Sequence, residues 1–288
     1  MEKVDMNLVT QLEEKAAHIR KMVVKYCHNV GVAHIGGCLS STDIITALYY
    51  HYLDFDPKDY QNPKRDRFIL SKGHSANLLY NVFCDMGIFT EEEIFNEYNK
   101  PEGRFGQHPN RFYLPMFDAS TGSLGHGLSI AVGYALGARA SKENYRVFCE
   151  VGDGELDEGS NWEAIMLGAH QQLQNLILIV DRNGIQGSRK TETTVALDSL
   201  EDKLKAFHWN VIGLEDGNDM EQVVGALESL PERNYAGKAQ PTAIIAHTIK
   251  GKGVRFMENN PAWHLGSVDD QMMKEAFDSI DAERTVRG

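Results

Sequence analysis

The sequence predicts an α/β fold, a doubly wound, mostly parallel sheet with helices on both faces, and three observations carry that expectation. Five short runs, RFILS, RVFCEV, NLILIVD, WNVIGL and TAIIAHT, are almost continuously apolar. Strands of that kind belong to sheets covered by helices on both sides, where no face alternates with solvent. These runs alternate with stretches of helical periodicity, the order from which crossover connections build a parallel sheet. Two of the runs end abruptly in acidic, amide and glycine residues, VGDG and VDRNG, and open α/β sheets bind ligands at the carboxyl ends of their strands.

The elements follow in chain order. The opening MEKVDMNLVTQLEEKAAHIRKMVV mixes acids and bases on an amphipathic pattern and predicts a helix over 7–29. It lacks the basic start, apolar centre and cleavage site of a signal peptide. A helix over 42–52, a strand over 67–71 and a helix over 75–86 come next. TEEE at Thr90 has capping-box spacing and starts a helix over 90–98. After the irregular KPEGRFGQHPNRFYLPMF, 100–117, the pattern gives a helix over 125–140, a strand over 146–151, a helix over 159–172 and a strand over 175–181. A helix over 197–207, a strand over 209–214, a helix over 219–230 capped by Asp219 and a strand over 242–248 complete the regular part. The segment 250–267, KGKGVRFMENNPAWHLGS, is irregular, and 268–288 reads as a polar helical tail. No linker or repeat interrupts 1–288, which is expected to be a single domain. Long irregular segments inside a compact domain are usually functional, and both of these carry a histidine among glycines and prolines.

Composition excludes several functions. With 41 acidic against 29 basic residues the net charge is −12, and there is no basic run, so neither nucleic acid nor an anionic membrane is an expected partner. No apolar run approaches the roughly 20 residues of a membrane span. The four cysteines, Cys27, Cys38, Cys84 and Cys149, are far apart with no CxxC pair, which fits a reducing compartment and a cytoplasmic protein.

The two abrupt strand ends are Asp153 and Asn183. The interval between them holds a loop, a helix and a second strand, a βαβ unit whose right-handed crossover brings both residues to one sheet edge. An ionised aspartate gives hard anionic oxygen and an asparagine amide gives a neutral one. With a backbone carbonyl they make the partial oxygen shell that magnesium or calcium accepts, leaving positions for water and phosphate oxygens. The glycines of GDG let a phosphate approach backbone NH groups. A metal-bridged diphosphate is the ligand this pattern suits.

GDGELDEGSNWEA with LIVDRNGI resembles transketolase, and the resemblance extends in the family's order through AHIGGCLSSTDIITALYY, FILSKGHSANLLY, FGQHPN, STGSLGHGLS and TIKGKGVRFMENNPAWHLG. It implies the diphosphate-binding half of a thiamine diphosphate enzyme. Asp153 and Asn183 would be metal ligands, with the Ile185 carbonyl as the third, for Mg2+ or Ca2+. Gly154 would offer its NH to the diphosphate, and Gly122, Ser123 and Leu124 would line the cofactor. His74 and His264 match histidines that contact the diphosphate or nearby substrate oxygens; His34 and His108 match those facing the reacting carbon and the sugar hydroxyls. Glu158 matches an acid at the subunit interface near the activating glutamate of the facing domain; at the start of a helix it also favours the dipole. His126 stands where many transketolases have Gln, so no role is carried onto it. His18, His51, His170, His208 and His247 fall in helical or strand patterns and are read as packing or surface residues.

The resemblance covers one half of a transketolase. The half that binds the aminopyrimidine and supplies the activating glutamate has no counterpart after Gly266. The implied arrangement is a split enzyme, an α2β2 assembly in which a separate C-terminal transketolase subunit carries the pyrimidine-binding domain. Its activity would be transfer of a two-carbon ketol unit from a ketose phosphate to an aldose phosphate, with pentose phosphates as the default sugars and a specialised sugar pathway as the other course. Two rival readings are the α subunit of a 2-oxoacid dehydrogenase or a deoxyxylulose phosphate synthase relative, and a cofactor-binding module without turnover. LDEG after GDG, the AWHLG histidine and TIKGKG favour transketolase.

Overall fold

The computed structural model describes residues 4–197, 199–232 and 238–287. Helix α1 (Met6–Val30) begins at Asp5, whose carboxylate accepts from the Asn7 amide at 2.9 Å, and its inward stripe buries Val9, Leu12, Ala16, Ile19 and Val23. α2 (Gly36–Ala47) runs on into a π-helical turn to Tyr52. It starts six residues before the periodicity predicts. Every residue of α2 is buried, so no polar face marks it, and the pair Gly36-Gly37 reads as a break. β1 (Arg67–Leu70), α3 (Ala76–Asp85) and α4 (Glu91–Glu97) follow. The capping box at α4 is complete: Glu93 accepts from the Thr90 amide at 2.8 Å, and its own amide donates to the Thr90 hydroxyl at 3.2 Å.

α5 (Gly127–Ser141), β2 (Val147–Gly152), α6 (Gly159–His170) and β3 (Leu176–Arg182) form the centre. After β3 come a hairpin, β4 (Ile185–Gln186) with β5 (Arg189–Lys190), and a single turn, α7 (Thr191–Thr194), which apolar periodicity alone does not show. α8 (Leu200–Ala206), β6 (Asn210–Leu214), α9 (Met220–Glu228), β7 (Thr242–His247) and α10 (Asp270–Arg287) complete the chain. Asp219 caps α9, accepting from the Glu221 amide at 2.9 Å. α10 lies against α1, and its Ala276 and Ile280 are buried in the same core as α1.

The five long strands form one parallel sheet in the order β1-β2-β3-β7-β6. Their side chains alternate between two cores. Phe148, Ile177, Ile179 and Ile244 pack with α1, α2, α3 and α9, while Val147, Cys149, Leu178, Val180 and Ile245 pack with α5, α6 and α8. Both faces of the inner strands β2 and β3 are therefore dry, as their unbroken apolar runs predict, while edge strand β6 keeps Asn210 and Gly213 exposed. Gly152 is in register with Asp181, so β2 and β3 end level and release Asp153 and Asn183 at the same edge.

Candidate active site

A cavity of about 400 Å3 opens at that edge. Four loops supply it. The GDG turn after β2 brings Asp153 and Gly154, the turn after β3 brings Asn183, Ile185 and Gln186, SKGH after β1 brings Lys72 and His74, and the segment after β7 brings Lys250 and His264. His34, Gly37, His108, Gly122 and Leu124 close the remaining wall.

Close backbone approach holds these loops together. A β-carbon on Gly73 would lie 2.7 Å from the Gly122 nitrogen and the Thr121 carbonyl carbon, so SKGH and STGSLG meet backbone to backbone. Buried Glu155 accepts from the Gly125 amide at 2.9 Å, the Gly152 amide at 3.2 Å and the Ser71 hydroxyl, tying the GDG turn to both. His264 sits on a 3-10 turn, Pro261–His264, capped by the Asn260 side chain.

All four loop histidines converge. Ring centroids of His34, His74 and His264 are 5.2 to 5.3 Å apart in each pair, and His108 lies 6.3 Å from His34. Burial lowers the pKa of each. His34 is lowered further by its neighbours His108 and Lys250, and His74 falls well below the ordinary value under the added influence of Lys72. His264, beside Lys250 and His34, is lowered to about 4, and His108, the most open of the four, is lowered by burial alone. All are neutral at pH 7, so each ring has one nitrogen to donate and one to accept a hydrogen bond. The Nδ1 of His34 is buried without a hydrogen-bond partner.

Three oxygens gather at the floor. Asp153 accepts from the Gly154 amide at 2.7 Å, the Gly184 amide at 2.7 Å and Arg182 at 3.2 Å. The Asn183 amide oxygen accepts from the Ile185 amide at 3.1 Å, and the Ile185 carbonyl accepts from the Lys250 ammonium at 3.1 Å. Two of the three oxygens thus face a cation of the chain's own. Lys250 also contacts the His264 Nδ1 at 3.1 Å, and burial lowers its pKa to about 8 against the pull of Asp181 and Asp153. Among the described residues no three His, Cys, Asp or Glu side chains cluster to hold a metal, so a metal here would rest on the mixed carboxylate, amide and carbonyl set. That set is hard oxygen and suits magnesium or calcium.

Of the residues singled out in the sequence, His34, His74, His108, Gly122, Leu124, Asp153, Gly154, Asn183, Ile185 and His264 line the cavity. Ser123 and Glu158 do not. Ser123 is exposed on the turn between Gly122 and Leu124, and Glu158 is exposed at the start of α6, with its β-carbon against Gly125. His126 is exposed at the start of α5. Lys72, Glu155, Asp181, Gln186 and Lys250 belong to the lining without having been anticipated. The signal for two of them was faint but present: Lys72 stands two residues before His74, and Asp181 two before Asn183.

The family model described as transketolase, thiamine diphosphate binding domain, matches residues 12–281. One subunit of the apulose-4-phosphate transketolase of Actinobacillus succinogenes is 39% identical over 255 residues, covering 88% of this chain and 90% of that protein. The 6-deoxy-6-sulfo-D-fructose transketolase subunit of a Clostridium species is 35% identical, covering 94% of this chain and 97% of its own length. Human transketolase is 33% identical over 292 residues, but only 45% of it is covered. The crystal structure of Campylobacter jejuni transketolase superposes with a TM-score of 0.84 at 24% identity, covering 99% of this chain and 46% of that one, a likeness of fold.

Proposed function

The chain belongs to the transketolase family through its thiamine diphosphate-binding domain, and from that premise we propose that it is the cofactor-holding subunit of a two-chain transketolase. The reaction is transfer of a two-carbon ketol unit from a ketose phosphate to an aldose phosphate. One observation carries the reading: four neutral imidazoles converge over an oxygen set of Asp153, Asn183 and Ile185 at the carboxyl edge of β2 and β3.

In this reading Asp153, Asn183 and the Ile185 carbonyl hold Mg2+ or Ca2+, and the Gly154 amide, His74 and Lys250 face the diphosphate. Gly122 and Leu124 would line the cofactor, with Ser123 on the same turn. When bound, thiamine diphosphate supplies the nucleophilic carbon that carries the ketol unit. His34 and His108 would orient the hydroxyls of the sugar and hold or pass a proton at a ring nitrogen, and His264 would contact the diphosphate or nearby substrate oxygens. Burial keeps these rings neutral and therefore able to act in either direction.

Support for a partner comes from two relatives. The chain spans nearly all of two relatives whose names call them subunits, and less than half of the single-chain human enzyme. We place the pyrimidine-binding domain and its activating glutamate on a separate subunit in an α2β2 assembly, with exposed Glu158 at the contact between them. The two subunit relatives are named for apulose-4-phosphate and 6-deoxy-6-sulfo-D-fructose, which favours a specialised ketose over the common pentose phosphates. The reading of a single domain over 1–288 is supported by α10, which packs into the same core as α1. A cytoplasmic setting fits four free thiols.

The test is ketol transfer by the purified chain with thiamine diphosphate and Mg2+, alone and mixed with a candidate partner. No turnover alone and turnover on mixing is the expected result. Robust turnover by the chain alone overturns the two-subunit reading, and carbon dioxide release from a 2-oxoacid by the mixture would favour the dehydrogenase class instead.

A further inference from the structure

At the base of the cavity lies a charged cluster that none of the roles above uses. Lys72 is buried, and its ammonium donates to Asp181 at 2.6 Å, to the Gly37 carbonyl at 3.0 Å and to the Ser41 hydroxyl, with Glu150 at 3.4 Å. Asp181 is wholly buried in β3 and accepts from four side chains: Lys72, Ser40 at 2.7 Å, Thr248 and the amide nitrogen of Asn183 at 2.9 Å. The geometry is that of a carboxylate in an ion pair: donors take both of its oxygens, Thr248 on Oδ1 and Ser40, Asn183 and a buried ammonium at 2.6 Å on Oδ2.

An ionised carboxylate only accepts hydrogen bonds. The end of the Asn183 amide that faces Asp181 must then be the NH2, which leaves the amide oxygen on the opposite side, toward the Ile185 amide and the cavity floor. Were the amide reversed, two oxygens would face each other and an NH2 would face the place a cation is to occupy. We propose that Asp181, charged and anchored by Lys72, is a positioning residue that fixes the orientation of the Asn183 amide so that its oxygen is presented to the divalent cation. This rests on the reading of Asp153 and Asn183 as metal ligands. Partners of this kind behind a ligand set its orientation, and removing them typically costs about 10- to 100-fold in metal affinity. The coupling to α2 through Gly37, Ser40 and Ser41 ties the amide to the helix that follows His34.

The experiment is Mn2+ binding to the full chain in the presence of thiamine diphosphate, read by loss of the free-ion electron paramagnetic resonance signal. The test variant is Lys72→Met with Asp181→Leu, which removes the acceptor together with its buried counter-charge; Glu150, which then loses its ion pair with Lys72, takes up a proton. Asp153→Ala reports on the ligand reading itself, and Thr248→Val removes a different donor on Asp181 without touching Asn183. Circular dichroism and a thermal melt establish which variants are folded. The expected result is Mn2+ affinity lowered about 10- to 100-fold in the double variant, with thiamine diphosphate affinity restored at saturating Mn2+, and affinity within about threefold of wild type in Thr248→Val. Should the double variant fail to fold, Asp181→Asn, whose amide can face Asn183 by either end, is expected to lose affinity in the same direction. Undiminished Mn2+ affinity in a folded Asp181 variant while Asp153→Ala loses it overturns the positioning role alone. Equal losses in Thr248→Val and the double variant also overturn it, since general loosening would then be the cause. Mn2+ binding that survives Asp153→Ala overturns the metal reading, and this inference with it.

Discussion

Asp153 carries the only full negative charge among the three floor oxygens, so Asp153→Ala is expected to abolish thiamine diphosphate binding at limiting Mg2+ while the fold persists. Calorimetric titration checks this, and unchanged affinity would remove Asp153 from the ligand set. His108 is the most open of the four histidines, and His108→Ala is expected to lower turnover of the assembled enzyme by about 10²- to 10⁴-fold with little change in cofactor affinity. A parallel fall in both would make it a diphosphate contact. Protonation gives a third expectation. His264 titrates near 4 in the fold against about 6.5 in the unfolded chain, so between these values the unfolded state binds more protons. Its contribution is present above pH 6.5 and is lost as pH falls toward 4. Thermal melts across that window should drop more steeply for the wild type than for His264→Gln. The four histidines and the Asp–Asn pair were legible because each interrupts glycine-rich or apolar sequence with a residue of distinct chemistry. Lys72 and Lys250 were far less so, since a lysine in SKGH or TIKGKG reads as a solvated side chain, and only the packing of four loops makes it a buried one.

Elements differ in how plainly the sequence announces them. The five strands of the parallel sheet and the caps at Thr90 and Asp219 stand where the pattern places them, because dry strands and caps have local signatures. The start of α2 was hidden by the absence of any exposed face, and the β4–β5 hairpin by its brevity. Both of these flank the cavity, where burial and close backbone contact replace periodicity. The contact between SKGH and STGSLG makes a further expectation. Gly73→Ala places a methyl group 2.7 Å from backbone atoms that cannot move aside as a side chain would. Overpacking of this kind costs about 1 to 3 kcal/mol. Chemical denaturation should show a loss of that size together with weaker cofactor binding, and a variant as stable as wild type would show that the two loops are free to separate.

At the scale of the whole molecule, a chain with a net charge of −12 must accept a ligand that is itself an anion. Native mass spectrometry of the chain with its partner is expected to give a two-plus-two assembly, and a single copy of each would overturn the α2β2 arrangement. How the chain tolerates the anion is written in the two contacts at the cavity floor, where Lys250 rests on the Ile185 carbonyl and Arg182 on Asp153. The cavity carries its own counterions. In the proposed reading, loading would be an exchange: with a divalent ion on the Ile185 carbonyl, the Lys250 ammonium would be released from it and available to a phosphate. Neither guest gains its full welcome without the other, so metal and diphosphate should bind with positive mutual dependence, each weakly alone and tightly together, as in a lock that opens only to two keys turned at once.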